Sequence, residues 1–170
     1  MRASLSVVVL LAGTFALAAE VPKTLEGVAG YHVVRPGLAT AGELSAEALA
    51  RLEEHGFKTV IDLRTEKEGV KEEERIVREQ GLRYVWVPVS PATLSAKDVD
   101  AVAAVLDDAA AEPILLHCAS GNRAGGLLAA VLARKGKSLE EAEAEGVKAG
   151  LASDGMKEAV RRVAAPEPRP

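Results

Sequence analysis

In the stretch "PILLHCASGNRAGG" (113–126), Cys118 and Arg123 are the residues whose types and spacing can do chemistry. Cys118 is the single cysteine of the chain. It ends an apolar run and stands just before a run that reads as helix. A thiolate is a strong nucleophile, and a helix N-terminus with a nearby cation stabilises it. Arg123 supplies the cation, and its planar fork matches two oxygens of a phosphate or a sulfur oxyanion. Between the two, Ala119, Ser120, Gly121 and Asn122 form a short loop whose backbone N–H groups can turn inward as an anion nest. Gly121 allows the tight turn, and the Ser120 hydroxyl could hydrogen-bond the sulfur as it leaves. The plain alternative is a small buried hydrophobe ending a core strand.

Such a loop must be placed by the elements around it. "YHVV" (31–34), "KTVIDL" (58–63), "RYVWVPV" (83–89) and "PILLHC" (113–118) are β-rich. Between them lie helical patterns: "LSAEALARLEEHG" from a Ser45 N-cap to Gly56, the charged "KEGVKEEERIVREQ" (67–80) closed by Gly81, and "AKDVDAVAAVLDDAA" from a Ser95 N-cap. The charges of 67–80 read as a solvated face. Three helices finish the domain, the second with a Ser138/Glu141 capping box. Alternating strands and helices predict a parallel sheet covered on both faces.

Ligands of such sheets bind beyond the carboxyl ends of the strands, which is where Cys118 falls. The loop after "VIDL" reaches the same crevice. Arg64 is therefore a candidate second charge for a bound anion, with Asp62 fixing the loop; a structural ion pair of the two is the alternative. His117 is expected to point away and brace the loop through hydrogen bonds. No group of His, Cys and carboxylates has metal-ligand spacing, so neither a metal nor a cofactor is expected. His32 and His55 have no chemical context.

The 170 residues, 48% hydrophobic, suit one domain. The start combines Arg2, an apolar run from Leu5 to Leu17 and small residues at Ala16 and Ala18, the pattern of a cleaved export signal over residues 1–18. The domain then spans 19–165, and the proline-rich 166–170 form a disordered tail. Without the leader, 20 basic residues face 25 acidic ones, a net charge of −5. That balance argues against nucleic acid or an anionic membrane as partner, and no stable membrane association is expected after cleavage.

"HCASGNR" after an apolar strand, "GFKTVIDLRTEKE" (56–68) upstream and "GLRYVWVPV" (81–89) between them resemble the bacterial dual-specificity-like protein tyrosine phosphatases. The branch is similar to the phosphatase-like domain of beta-lactamase-hydrolase-like proteins, and the resemblance runs from about Val28 to Leu151. It implies a three-layer α/β cysteine-phosphatase fold, a mostly parallel central sheet flanked by helices. It also implies metal-free hydrolysis of a phosphorylated protein or small molecule. Cys118 then attacks phosphorus to form a phosphocysteine, and Arg123 holds the equatorial oxygens.

Several positions depart from that pattern. "CASGNR" has four residues between Cys and Arg where the familiar signature has five. Six-residue loops also characterise rhodaneses, so a sulfurtransferase working through a Cys118 persulfide is the alternative, although "TEKEGVKEEERIV" stands where rhodaneses carry Gly-His-Ile. Ala124 stands where the phosphatases have Ser or Thr. "SPAT" (90–93) holds no aspartate where their general acid sits, which leaves an anion-binding pseudophosphatase as a third possibility. Asp98, Asp100 and Glu43 are the weak candidates for the acid, Glu43 lying in "ATAGEL" (39–44), the place of a "SGQP"-like segment.

Overall fold

The computed structural model describes residues 20–164. The expected leader (1–18) and tail (166–170) lie outside the described residues. Five strands, β1 (His32–Arg35), β2 (Leu38–Ala41), β3 (Thr59–Asp62), β4 (Arg83–Trp86) and β5 (Ile114–His117), form one sheet in the order β1-β2-β5-β3-β4. The last four in that order run parallel, as the alternation of strands and helices predicts. β1 departs from it and pairs antiparallel with β2. Only Pro36 and Gly37 separate these two strands, which allows a hairpin and no crossover. β2 itself, "LATA", has Thr40 as its one β-branched residue and no aromatic, a weak strand signal, so the sequence reading passes over it.

The helices are α1 (Ala46–Leu49), α2 (Val70–Glu79), α3 (Ala96–Leu106), α4 (Asn122–Arg134), α5 (Leu139–Lys148) and α6 (Asp154–Ala164). α1 is capped by Ser45 as expected but stops well short of Gly56. The charged segment expected as one helix over 67–80 is broken. Glu66–Glu68 form a 3₁₀ turn, and Gly69, at φ +83°, turns the chain before α2 begins. The capping boxes at Ser95/Asp98 and Ser138/Glu141 are both formed.

Side chains alternate across each strand and sort the core into two layers. Val60, Tyr84 and Leu115 meet Phe57 and Val77 on the α1/α2 face. Ile61, Ile114 and Leu116 meet Val99, Val102, Leu127 and Val160 on the face covered by α3, α4 and α6. Central strands apolar on both faces are what a parallel sheet requires. The same alternation puts neighbours His117 and Cys118 on opposite faces: Cys118 joins the α3/α4 layer, and His117 meets Glu73 of α2.

Candidate active site

Cys118 follows β5 at the carboxyl edge of the sheet and is fully buried. Its N–H donates to the Ala41 carbonyl (3.2 Å), while Glu43 N–H donates to the Ala119 carbonyl (3.1 Å) and Gly42 pairs antiparallel with Ser120. The chain after β2 therefore runs alongside the loop after β5. Gly121 caps α4 at φ +84°, a conformation that a side chain would strain. Beyond it, the first-turn N–H groups of Asn122, Arg123 and Ala124 have no acceptor within the helix. Loop, helix end and buried sulfur thus lie together at the carboxyl edge of the sheet.

Arg123 is held along one edge of its guanidinium. Nη1 donates to the carbonyls of Leu63 and Val89 (both 3.3 Å) and to Glu68 Oε2 (3.0 Å), and Nη2 donates to Glu68 Oε1 (2.6 Å). Nε and the second Nη2 hydrogen have no such acceptor among the described residues, which leaves a two-donor fork for an oxyanion. Hydrogen bonding to Glu68, and then the charge of Cys118, hold the guanidinium pKa above its ordinary value against the opposing effect of burial. Reciprocally, the Arg123 hydrogen bonds lower the Glu68 carboxyl to about 2. Thr65 fixes Glu68 from the other side, its N–H and hydroxyl both 2.7 Å from Oε2.

Glu68 is the functional residue that sequence reasoning missed. It lay inside what read as a solvated helix, and only its place within "RTEKE" after a strand could have singled it out.

Arg64 does not join the anion site, contrary to expectation. Its side chain is buried and makes a two-oxygen pair with Asp62, Nη2 to Oδ2 at 2.8 Å and Nε to Oδ1 at 3.1 Å, and a second ion pair with Glu73. A guanidinium taken out of water needs carboxylates beside it, and both lie on the α2 side of the sheet. Burial works to raise the Asp62 pKa, but the hydrogen bonds of Arg64, the charge of His117 and the Tyr84 hydroxyl (2.7 Å) hold it below the usual carboxylate range. Asp62 also accepts from Arg64 N–H (2.8 Å) and so fixes the loop, as anticipated.

His117 faces away from the site as expected, but it meets charge rather than a simple loop contact. Nε2 lies 2.7 Å from Glu73 Oε1 and 3.8 Å from Asp62, and among the described residues neither buried ring nitrogen has a hydrogen-bond partner of good geometry. The backbone of His117 does the bracing, its carbonyl accepting from Leu63 N–H (3.0 Å). The fold also gathers Asp62, Glu73 and His117, distant in sequence, into a set with metal-ligand character. The cation between the carboxylates is Arg64.

Among the remaining candidates, Ala119 and Ser120 are exposed on the loop. The Asn122 side chain turns from the nest to the chain before α6: Oδ1 accepts from Ala152 and Ser153 N–H (2.8 and 2.9 Å), and Nδ2 donates to Ser153 Oγ. Only its backbone remains to bind an anion. Asp98 is occupied in its capping box and Asp100 pairs with Arg134. Glu43 is exposed at the rim.

The family described as DSP-PTPase phosphatase fused to NAD+ kinase matches residues 34–162. No curated protein matches the chain. Among solved structures, a DUF442 protein from Shewanella putrefaciens CN-32 is 20% identical with a TM-score of 0.65, over 82% of this chain and 93% of that one. The core catalytic domain of the PP-IP phosphatase Siw14 from S. cerevisiae, solved with citrate, is 18% identical with a TM-score of 0.67, over 82% and 88%. P. aeruginosa TpbA is 19% identical with a TM-score of 0.63, over 80% and 83%. At these identities the three share the fold.

Proposed function

Because the chain belongs to the dual-specificity-type cysteine phosphatase family, we propose that it hydrolyses phosphate monoesters through a phosphocysteine on Cys118, without a metal. The observation that carries this reading is the orientation of Arg123. With one edge fastened by Glu68, Leu63 and Val89, its free N–H groups are left for the oxygens of a phosphoryl group beside the buried sulfur. The Cys118 thiolate attacks phosphorus, the ester P–O bond breaks, and the leaving oxygen takes a proton. Water then attacks phosphorus, the S–P bond breaks, and phosphate leaves with the thiolate restored. Loop amides and Arg123 stabilise the charge spread over the equatorial oxygens. The substrate is a phosphorylated protein or small molecule. The leader-like start at Arg2 and Leu5–Leu17 supports a place outside the cytoplasm, which N-terminal sequencing of exported protein checks.

The test is the trapped intermediate. Protein quenched in acid during turnover of p-nitrophenyl phosphate is expected to carry phosphorus on Cys118, visible by intact mass with phosphorus detection, and Cys118→Ser to carry none. A persulfide formed from thiosulfate with rapid cyanide-dependent turnover, and no phosphoryl adduct from any ester, would replace this reading with the sulfurtransferase one.

A further inference from the structure

An alcohol expelled by Cys118 needs a proton, and the structure narrows where it comes from. The loop after β4 holds no carboxylate and is pinned. Ser90 and Thr93 bond each other (2.9 and 3.0 Å), Arg162 donates to the carbonyls of Pro91 (2.9 Å) and Leu94 (3.3 Å), and Val89 is tied to Arg123. Glu26 and Glu47 near the start of α1 also lack a partner among the described residues, but neither is bonded to the nucleophile loop, and the carboxylates after β3 and on α2 are engaged. Glu68 grips Arg123, Asp62 and Glu73 grip Arg64, and Glu66 pairs with Lys71 (2.9 Å). On α3 and α6, Asp98 caps a helix, Asp100 pairs with Arg134 (3.0 Å) and Asp154 with Lys157 (3.5 Å).

Glu43 differs on each count. Its carboxylate has no ion-pair or hydrogen-bond partner among the described residues, and it is exposed at the rim. Its own backbone is bonded to the nucleophile loop at Ala119, and Gly42 beside it packs so closely on Ser120 that an added Cβ would lie 3.1 Å from the Ser120 carbonyl carbon. The segment that carries Glu43 is thereby fixed to the loop that carries Cys118.

We infer that Glu43 is the general acid of the reaction, an inference that rests on the phosphatase reading. In the first step the protonated carboxyl gives its proton to the leaving oxygen as the P–O bond breaks. In the second, the resulting carboxylate takes a proton from the water that attacks the phosphocysteine as the S–P bond breaks. The group returns to its starting state and no other reactant is needed. A carboxyl without a competing cation can cycle in this way, whereas Glu68 is held ionised by its guanidinium.

Leaving groups of different quality separate the outcomes. Kinetics of the full chain and of Glu43→Gln are compared on p-nitrophenyl phosphate, whose phenolate leaves readily, and on phenyl phosphate and an alkyl phosphate, whose leaving oxygens need a proton. Glu43→Gln is expected to lose about 10²- to 10⁴-fold in kcat/KM on the poor leaving groups, to change little on p-nitrophenyl phosphate, and to recover part of the loss as Glu43→Asp. Glu43 is exposed, so the variant keeps the fold, and its circular dichroism and melting should match the parent. Equal kcat/KM for Glu43→Gln and the parent on every ester, or an equal loss of kcat/KM on all of them, overturns the assignment, whereas kcat, which includes hydrolysis of the shared phosphocysteine, is expected to fall on every ester. A parent protein that turns over none of these esters overturns the phosphatase reading itself.

Discussion

Glu68 and Arg123, fifty-five positions apart, face each other through two parallel hydrogen bonds of 3.0 and 2.6 Å. The carboxylate takes one edge of the fork and leaves the other without a carboxylate or carbonyl acceptor among the described residues, so in the proposed reaction Glu68 acts as a positioning residue through Arg123. Glu68→Gln is expected to weaken phosphate binding about tenfold, an effect of about 1.4 kcal/mol, and to lower kcat, while the secondary structure is unchanged. Titration calorimetry with inorganic phosphate checks it; unaltered phosphate affinity would mean that the two carbonyls alone orient Arg123.

The same pair links stability to pH. The Glu68 carboxyl is lowered to about 2 from an ordinary 4.5, first by its hydrogen bonds from Arg123. Its contribution is therefore fully present above the ordinary value and disappears as the pH falls through about 2. Denaturant unfolding of the parent and of Glu68→Gln should differ by a constant amount near neutrality, with the two curves converging in strong acid. A gap that persists at the lowest pH would remove the carboxylate as its cause.

The buried group of Arg64, Asp62, Glu73 and His117 is expected to matter for stability rather than for anion binding. Glu73→Ala leaves a buried guanidinium short of a partner and should cost about 3–5 kcal/mol. The exposed neighbour Glu72, paired with Arg75, should cost less than about 1 kcal/mol on the same change. Arg64→Ala should destabilise likewise. Equilibrium denaturation of the three variants decides this, with the Glu72 variant as the control for the helix itself.

Close packing behind the loop gives a further test. A Cβ on Gly125 would meet the Leu151 amide nitrogen and the carbonyl oxygens of Gly146 (2.6 Å) and Ala149 (2.9 Å), all backbone atoms that cannot yield as a side-chain tip does. Gly125→Ala should destabilise by about 1–3 kcal/mol, the cost of overpacking, although alanine is the better helix former. Thermal melting would show it; a variant as stable as the parent would mean that α5 can shift outward freely.

Much of this arrangement was legible in the sequence. "PILLHC", "KTVIDL" and "RYVWVPV" are strongly periodic or apolar and became strands, and Ser95 and Ser138 carry caps that local chemistry dictates. Cys118, Gly121 and Arg123 are close enough in the chain for their spacing to define the loop. What escaped depends on distance or on weak local preference. "LATA" becomes a strand only because β5 lies beside it, and the choice for Arg64 between a bound anion and an ion pair with Asp62 stays open until Glu73 arrives from α2. The charges of 67–80 give no sign that two of the acids face inward. Glu68 has a local sign only in its place just after a strand, three residues from Thr65, and nothing local distinguishes Glu73 from Glu72 and Glu74; the sheet edge and the loop choose them.

The turn at Gly69 lies between those two inward acids, one gripping Arg123 and the other Arg64 and His117. The backbone from 68 to 73 therefore works as a ruler cut to the gap between the front and the back of the nucleophile loop. A one-residue insertion within it would leave either hook unable to reach, whereas an insertion at the exposed residues 53–54 would keep both in place. Chain length in this short span, as much as residue identity, sets how firmly the two sides of the loop are held.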